Sequence, residues 1–76
     1  VMNFYARLLV AEKPETYSQA EVNELCSTIA SAPGVEEITR VAKHFKGGYD
    51  VAVQLTDGSE GPFLDYLWKA GYRPSI

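Results

Sequence analysis

Val35-Glu36-Glu37-Ile38-Thr39-Arg40-Val41-Ala42-Lys43-His44-Phe45-Lys46 is the stretch on which the fold turns. Val35, Ile38, Val41 or Ala42, and Phe45 recur at helical spacing. Glu36 and Glu37 come first and Lys43 and Lys46 last, as a helix macrodipole prefers. Read as a strand, the same residues alternate poorly. The segment that follows favours the strand. Gly47-Gly48 is hairpin-turn chemistry, and Tyr49-Asp50-Val51-Ala52-Val53-Gln54-Leu55-Thr56 alternates cleanly, with Tyr49, Val51, Val53 and Leu55 on one face. A strand after such a turn needs a neighbour. If residues 35–46 coil instead, the sheet keeps only two long strands, which is marginal in water unless helices or a second subunit cover it. We read a strand here, and a helix stays open as the alternative.

Working towards the N-terminus, Ser18-Gln19-Ala20-Glu21 forms a capping box. Its serine and glutamate side chains satisfy amides that a helix start leaves unpaired. Val22, Leu25, Cys26 and Ile29 follow at helical spacing, and Pro33-Gly34 stops the run. Residues 12–17 are polar and contain Pro14, so they read as a loop. Before them, Met2 to Ala11 alternates. Met2, Phe4, Ala6, Leu8 and Val10 share one face, and Asn3, Tyr5, Arg7 and Leu9 share the other.

Towards the C-terminus, residues 57–62 supply turn residues, candidate caps and a proline suited to a first helical turn. A second helix is expected over residues 63–70. Its apolar face takes in Phe63 or Leu64, Leu67 and Trp68, Asp65 and Lys69 form an i,i+4 ion pair, and Gly71 takes the C′ position. The tail, residues 72–76, contains Pro74 and can be a strand only at a sheet edge. The element order is therefore strand, helix, strand, strand, helix, short strand. This predicts an α+β fold, the ferredoxin-like βαββαβ arrangement, with both helices on one face of an antiparallel sheet.

The run Ala32-Pro33-Gly34-Val35-Glu36-Glu37-Ile38, followed by Gly47-Gly48-Tyr49-Asp50-Val51-Ala52-Val53, resembles the middle of small effector-binding modules of the ACT and RAM type. There a helix ends in a Pro-Gly-Val step and a hairpin returns through a Gly-x-Tyr-Asp step into a central strand. The resemblance implies a ferredoxin-like fold, association through sheets or edges, and regulatory binding of a small-molecule effector.

Composition narrows the classes of function. A chain of 76 residues buries only about 60% of its unfolded surface and supports one core. Met2 reads as the natural first residue, with Val1 an addition ahead of it, so we expect a single domain over residues 2–76. Hydrophobic residues make up 46% and charged residues 22%, values typical of folded domains rather than disordered ones. A formal charge of −3 opposes general attraction to phosphate backbones or anionic membranes, so neither nucleic acid nor membrane is expected as a partner. The one cysteine cannot form an internal disulfide, and no run has the length of a membrane span or the form of a secretory signal. Cytoplasm is the expected location.

Catalysis by an acid–base pair or triad needs several groups within hydrogen-bond reach, and His44 is the only histidine. Lying between Lys43 and Lys46, it reads as solvent-facing. Cys26 lies in the apolar stripe of the first helix and reads as a small packed thiol. One Cys and one His far apart match no zinc spacing. Glu36-Glu37 and Asp57/Glu60 belong to a solvated segment and a turn, and the glycine pairs lack the Lys-Ser/Thr step of a phosphate loop. No catalytic, cofactor-binding or metal-binding residue is assigned, and no cofactor is expected.

The open face of the sheet carries more information. With the first and third strands central, Tyr5, Arg7, Leu9, Asp50, Ala52 and Gln54 lie side by side there. An RNA-recognition sheet places stacking aromatics on both central strands, whereas this one sets Asp50 and Ala52 opposite Tyr5. Such a mixed, flat surface suits another protein or a second copy of the chain. The partner-binding candidates are Tyr5, Arg7, Leu9 and Gln54, joined by Tyr66 and Tyr72, which are amphipathic anchors beside a core that takes Phe63 and Trp68. The expected function is that of a small, acidic, non-catalytic binding domain acting through protein–protein contact, a homodimer or a partner's inhibitor or adaptor of the phage or mobile-element kind. The alternatives are an effector-binding regulatory module and an accessory enzyme whose site, using Arg7 or His44, assembles between subunits.

Overall fold

Residues 35–43 form a strand, and its helix-like spacing comes from two bulges. Pairing with the next strand shifts register between Val35 and Glu37 and again between Ile38 and Arg40. Each shift inserts one extra residue on this strand, Glu36 and then Thr39, against a single step on its partner. An alternation of two becomes a spacing of three, so Val35, Ile38 and Val41 all face inward opposite Leu55, Val53 and Val51.

In the computed structural model the described residues are 1–10 and 18–75; the loop expected over residues 12–17 lies outside them. The elements run β1 (Met2–Val10), α1 (Gln19–Ser31), β2 (Val35–Lys43), β3 (Tyr49–Leu55), α2 (Glu60–Lys69) and β4 (Tyr72–Ser75). They form one antiparallel sheet in the order β2-β3-β1-β4. Strand β3 is inserted between β1 and β2, and β1 between β3 and β4, which is the split βαβ plan of a ferredoxin-like α+β fold.

Local chemistry sets the helix limits. The Ser18 hydroxyl accepts the Glu21 amide at 3.1 Å, as the capping box requires. The chain leaves α1 through Gly34 at φ 78, where an added Cβ would collide with the Ser59 side chain ahead of α2. Helix α2 begins at Glu60, earlier than residue 63, so that Pro62 falls inside its first turn. The Lys69 ammonium meets the Asp65 carboxylate at 2.9 Å. Strand β4, which holds Pro74, lies at the sheet edge.

Both helices bury their apolar stripes on the same side of the sheet. Val22, Leu25 and Ile29 of α1 and Phe63 and Leu67 of α2 join Phe4, Ala6, Leu8, Val51, Val53 and Leu55 in one core. Phe4 and Phe63 meet edge to face at 5.3 Å, fixing α2 on the central strand β1. Such a ring pair contributes about 0.5–1.5 kcal/mol beyond its burial. Among the described residues, no helix covers the opposite side of the sheet.

Candidate functional site

The registers lay out the open face in rows. Glu37, Gln54 and Asn3 form one row; Arg40, Ala52 and Tyr5 the next; Ala42, Asp50, Arg7 and Ser75 the third; Leu9 and Arg73 the last. Tyr5 stands near the middle with 68% of its surface exposed, and its neighbour across the central strand pair offers only the methyl group of Ala52. Around it are polar groups. Arg40 Nε lies 3.3 Å from Asp50 Oδ2, and both side chains stay partly open to solvent. Asn3 is exposed and Gln54 half-buried.

Four of the candidates read from sequence, Tyr5, Arg7, Leu9 and Gln54, therefore share this face, but two of them are engaged by the chain itself. Arg7 Nε donates to the Gly47 carbonyl at 2.8 Å and Nη2 to the Lys46 carbonyl at 2.6 Å, so the guanidinium clamps the β2–β3 turn. Leu9 is half-buried beside Gly48, where an added Cβ would come within 2.7 Å of Leu9 Cδ2 and strike the Leu8 carbonyl. Tyr5 and Gln54 are left as the contact groups, with Asn3 and Arg40 added.

Tyr72 and Trp68 correct the sequence reading by exchanging roles. Tyr72 is 7% exposed and belongs to the core because β4 begins at that residue and pairs it with Val10 on the inward face. Burial pushes its phenol above the ordinary value, and the Glu24 and Glu21 carboxylates add to the rise. Trp68, expected in the core, is 56% exposed. At about 100° per residue the stripe that is buried, Phe63 and Leu67, leaves residue 68 on its flank. There the Arg73 guanidinium stacks 3.8 Å above the indole and donates to the Trp68 carbonyl at 2.7 Å. Tyr66 is half-buried against the core and so lies on the helix side, away from the open face.

The β2–β3 tip holds a feature that sequence reasoning missed. Phe45 is 86% exposed, stacked on His44 at 4.7 Å, with the Lys46 ammonium 5.6 Å from its ring centre. His44 Nδ1 accepts the Lys46 amide at 3.0 Å, and the His44 amide donates to the Gly48 carbonyl at 3.0 Å. With Arg7 bound from β1, the tip is held in one shape. The signal was available: an aromatic two residues before Gly47-Gly48 sits in the turn once β2 is a strand. Cys26 is half-buried and packs against the core.

Among the described residues no cluster of three or more His, Cys, Asp or Glu side chains could hold a metal ion, and no helix is long and apolar enough to cross a membrane. Comparison of the chain with known protein families, with curated proteins and with solved structures finds no match.

Proposed function

We propose that this chain is a non-catalytic binding domain whose open sheet face docks a partner protein, with Tyr5 as its anchor. The observation that carries the reading is a phenol 68% exposed on a central strand, on the side of the sheet away from α1 and α2, beside an alanine and within a border of amide and charged groups. An amphipathic aromatic ringed by polar groups is the usual anatomy of a protein contact, where one central side chain supplies most of the energy and the border excludes water. A non-catalytic role fits the state of the reactive groups. His44 uses one ring nitrogen to hold its own turn, and Cys26 packs against the core.

The test compares the proteins retained from cell extract by the wild-type chain and by Tyr5→Asp, which is exposed enough to change without loss of fold. Partners held by the wild type and released by the variant are expected. Retention of the same set by both removes the sheet face as the contact.

A further inference from the structure

The open face carries a projection and a slot in one row, on either side of the sheet's midline. In the order β2-β3-β1-β4 that midline runs between β3 and β1. Tyr5 of β1 and Ala52 of β3 are register partners across it. Tyr5 stands out with 68% of its surface exposed, whereas Ala52, set between the longer side chains of Tyr5 and Arg40, is 6% exposed. Ala52 is the fourth of the seven residues of β3, so this row crosses the middle of the sheet. The row lies wholly among the described residues, with Tyr5 five positions before the end of β1.

A two-fold axis in front of this face, parallel to the strands and over the midline, lays β1 of one copy across β3 of another and β4 across β2. Each Tyr5 then comes down over the other copy's Ala52. Sheets packed face to face lie about 10 Å apart, a gap that a phenol from one side and a methyl group from the other can fill. The two Tyr5 rings lie side by side across the axis, about one strand spacing of 4.8 Å apart, within the range of offset ring stacking. Packed sheets rotate by about 30° against each other, and a rotation centred on the middle row leaves that row in register. In the next row Asn3 meets Gln54, and each amide both donates and accepts.

We propose that the open sheet face pairs with the same face of a second copy of this chain, each Tyr5 seated over the other's Ala52. This rests on the reading of that face as a protein contact and names its occupant. An isologous pair needs a surface that is its own complement, and the Tyr5–Ala52 row is one. Charge agrees with it. The chain carries a formal −3, yet in the rows of this face Glu37 and Asp50 are met by Arg7, Arg40 and Arg73, and Arg40 already pairs with Asp50. Two acidic chains thus meet on the side where their negative excess is absent. Four strands by the seven residues of β3 cover about 19 Å by about 24 Å, or about 900 Å² for the pair. That is the small end of specific interfaces, so the dimer is weak, with a dissociation constant in the micromolar range.

Sedimentation equilibrium of the full chain from micromolar to millimolar concentration tests this, with backbone amide shifts followed by NMR on dilution. The wild type is expected to dimerise, and the concentration-dependent shifts to fall at Asn3, Tyr5, Ala52 and Gln54 rather than in α1 or α2. Tyr5→Asp and Tyr5→Lys each set like charges side by side across the axis and weaken the dimer by about tenfold or more. An equimolar mixture of the two associates more tightly than either alone, because the adjacent charges are then opposite, and that recovery shows both variants folded. A wild-type chain that stays monomeric at millimolar concentration overturns the pairing, while the extract comparison above still decides whether the face holds a different protein. A Tyr5→Asp dimer as tight as wild type lies on another surface and overturns the pairing too. So do dilution shifts confined to the helices, or a mixture no tighter than its components.

Discussion

Arg7 shows how a residue that looks free in the sequence is committed by the fold. Its position, alternating with Tyr5 and Leu9 on the face without helices, was legible from β1 alone. Its partners were not, because they are backbone carbonyls of a turn about 40 residues away, and carbonyls leave no mark in a sequence. The same limit explains Trp68 and Tyr72. Hydrophobicity favours tryptophan for the core, but the stripe of α2 that is buried carries Phe63 and Leu67, and β4 draws Tyr72 inward. We predict that Arg7→Ala lowers stability by about 1–2 kcal/mol, the range of a hydrogen bond from a charged donor discounted for partial exposure. Amide exchange at Gly47 and Gly48 speeds up more than exchange in the core. Arg7→Lys does not restore the wild-type values, since an ammonium lacks the planar fork that reaches two carbonyls at once. Thermal unfolding with hydrogen exchange measures both effects, and an Arg7→Lys chain as protected as wild type would show that charge alone suffices.

Among the elements, β1, α1, β3 and α2 were each legible in the sequence because a single period or cap dominates them, while β2 was read as a strand only from the hairpin that follows it, with a helix left open. Its inward residues, Val35, Ile38 and Val41, fall every third position, close enough to helical periodicity for the two to compete. The bulges that create this spacing are visible only against β3, where Glu36 and Thr39 find no separate partner. Being an edge strand, β2 gains from the irregularity, since bulges and charges discourage pairing with a foreign strand. Deleting Thr39 is therefore expected to preserve cooperative unfolding. Ile38, Arg40 and Val41 keep their inward and outward assignments when the extra residue is removed. Deleting Ala52 from β3 reverses one half of a central strand and sends either Tyr49 and Val51 or Val53 and Leu55 to the open face. Loss of the cooperative transition is expected there. Circular dichroism melts of the two deletions decide the point, and equal damage from both would mean that Thr39 is not a spare residue.

The whole molecule is held together near the start of α1, where two tyrosines bring β3 and β4 against one helix. Tyr49 is fully buried and sits beside Ser18 and Glu21, and Tyr72 lies near Glu24, Glu21 and Thr28. Both phenols are raised from the ordinary value of 10.0, first by burial and then by the negative charge of the helix's carboxylates. A phenol is neutral when protonated, so the fold keeps its proton to higher pH than the unfolded chain does. Above pH 10 the native state consequently binds more protons than the unfolded state, and the slope of stability against pH is negative. The contribution is complete below the unfolded value and drains away as pH climbs towards the folded values. We expect the wild-type melting temperature to fall between about pH 9 and about pH 11. Tyr72→Phe and Tyr49→Phe, which keep the ring and remove the ionising hydroxyl, fall less steeply over the same interval, and the double variant least of all. Because the comparison is of slopes, a constant loss from the missing hydroxyl does not obscure it. Parallel curves for all four chains would mean that these phenols do not couple ionisation to folding, and that alkaline unfolding starts elsewhere in the molecule.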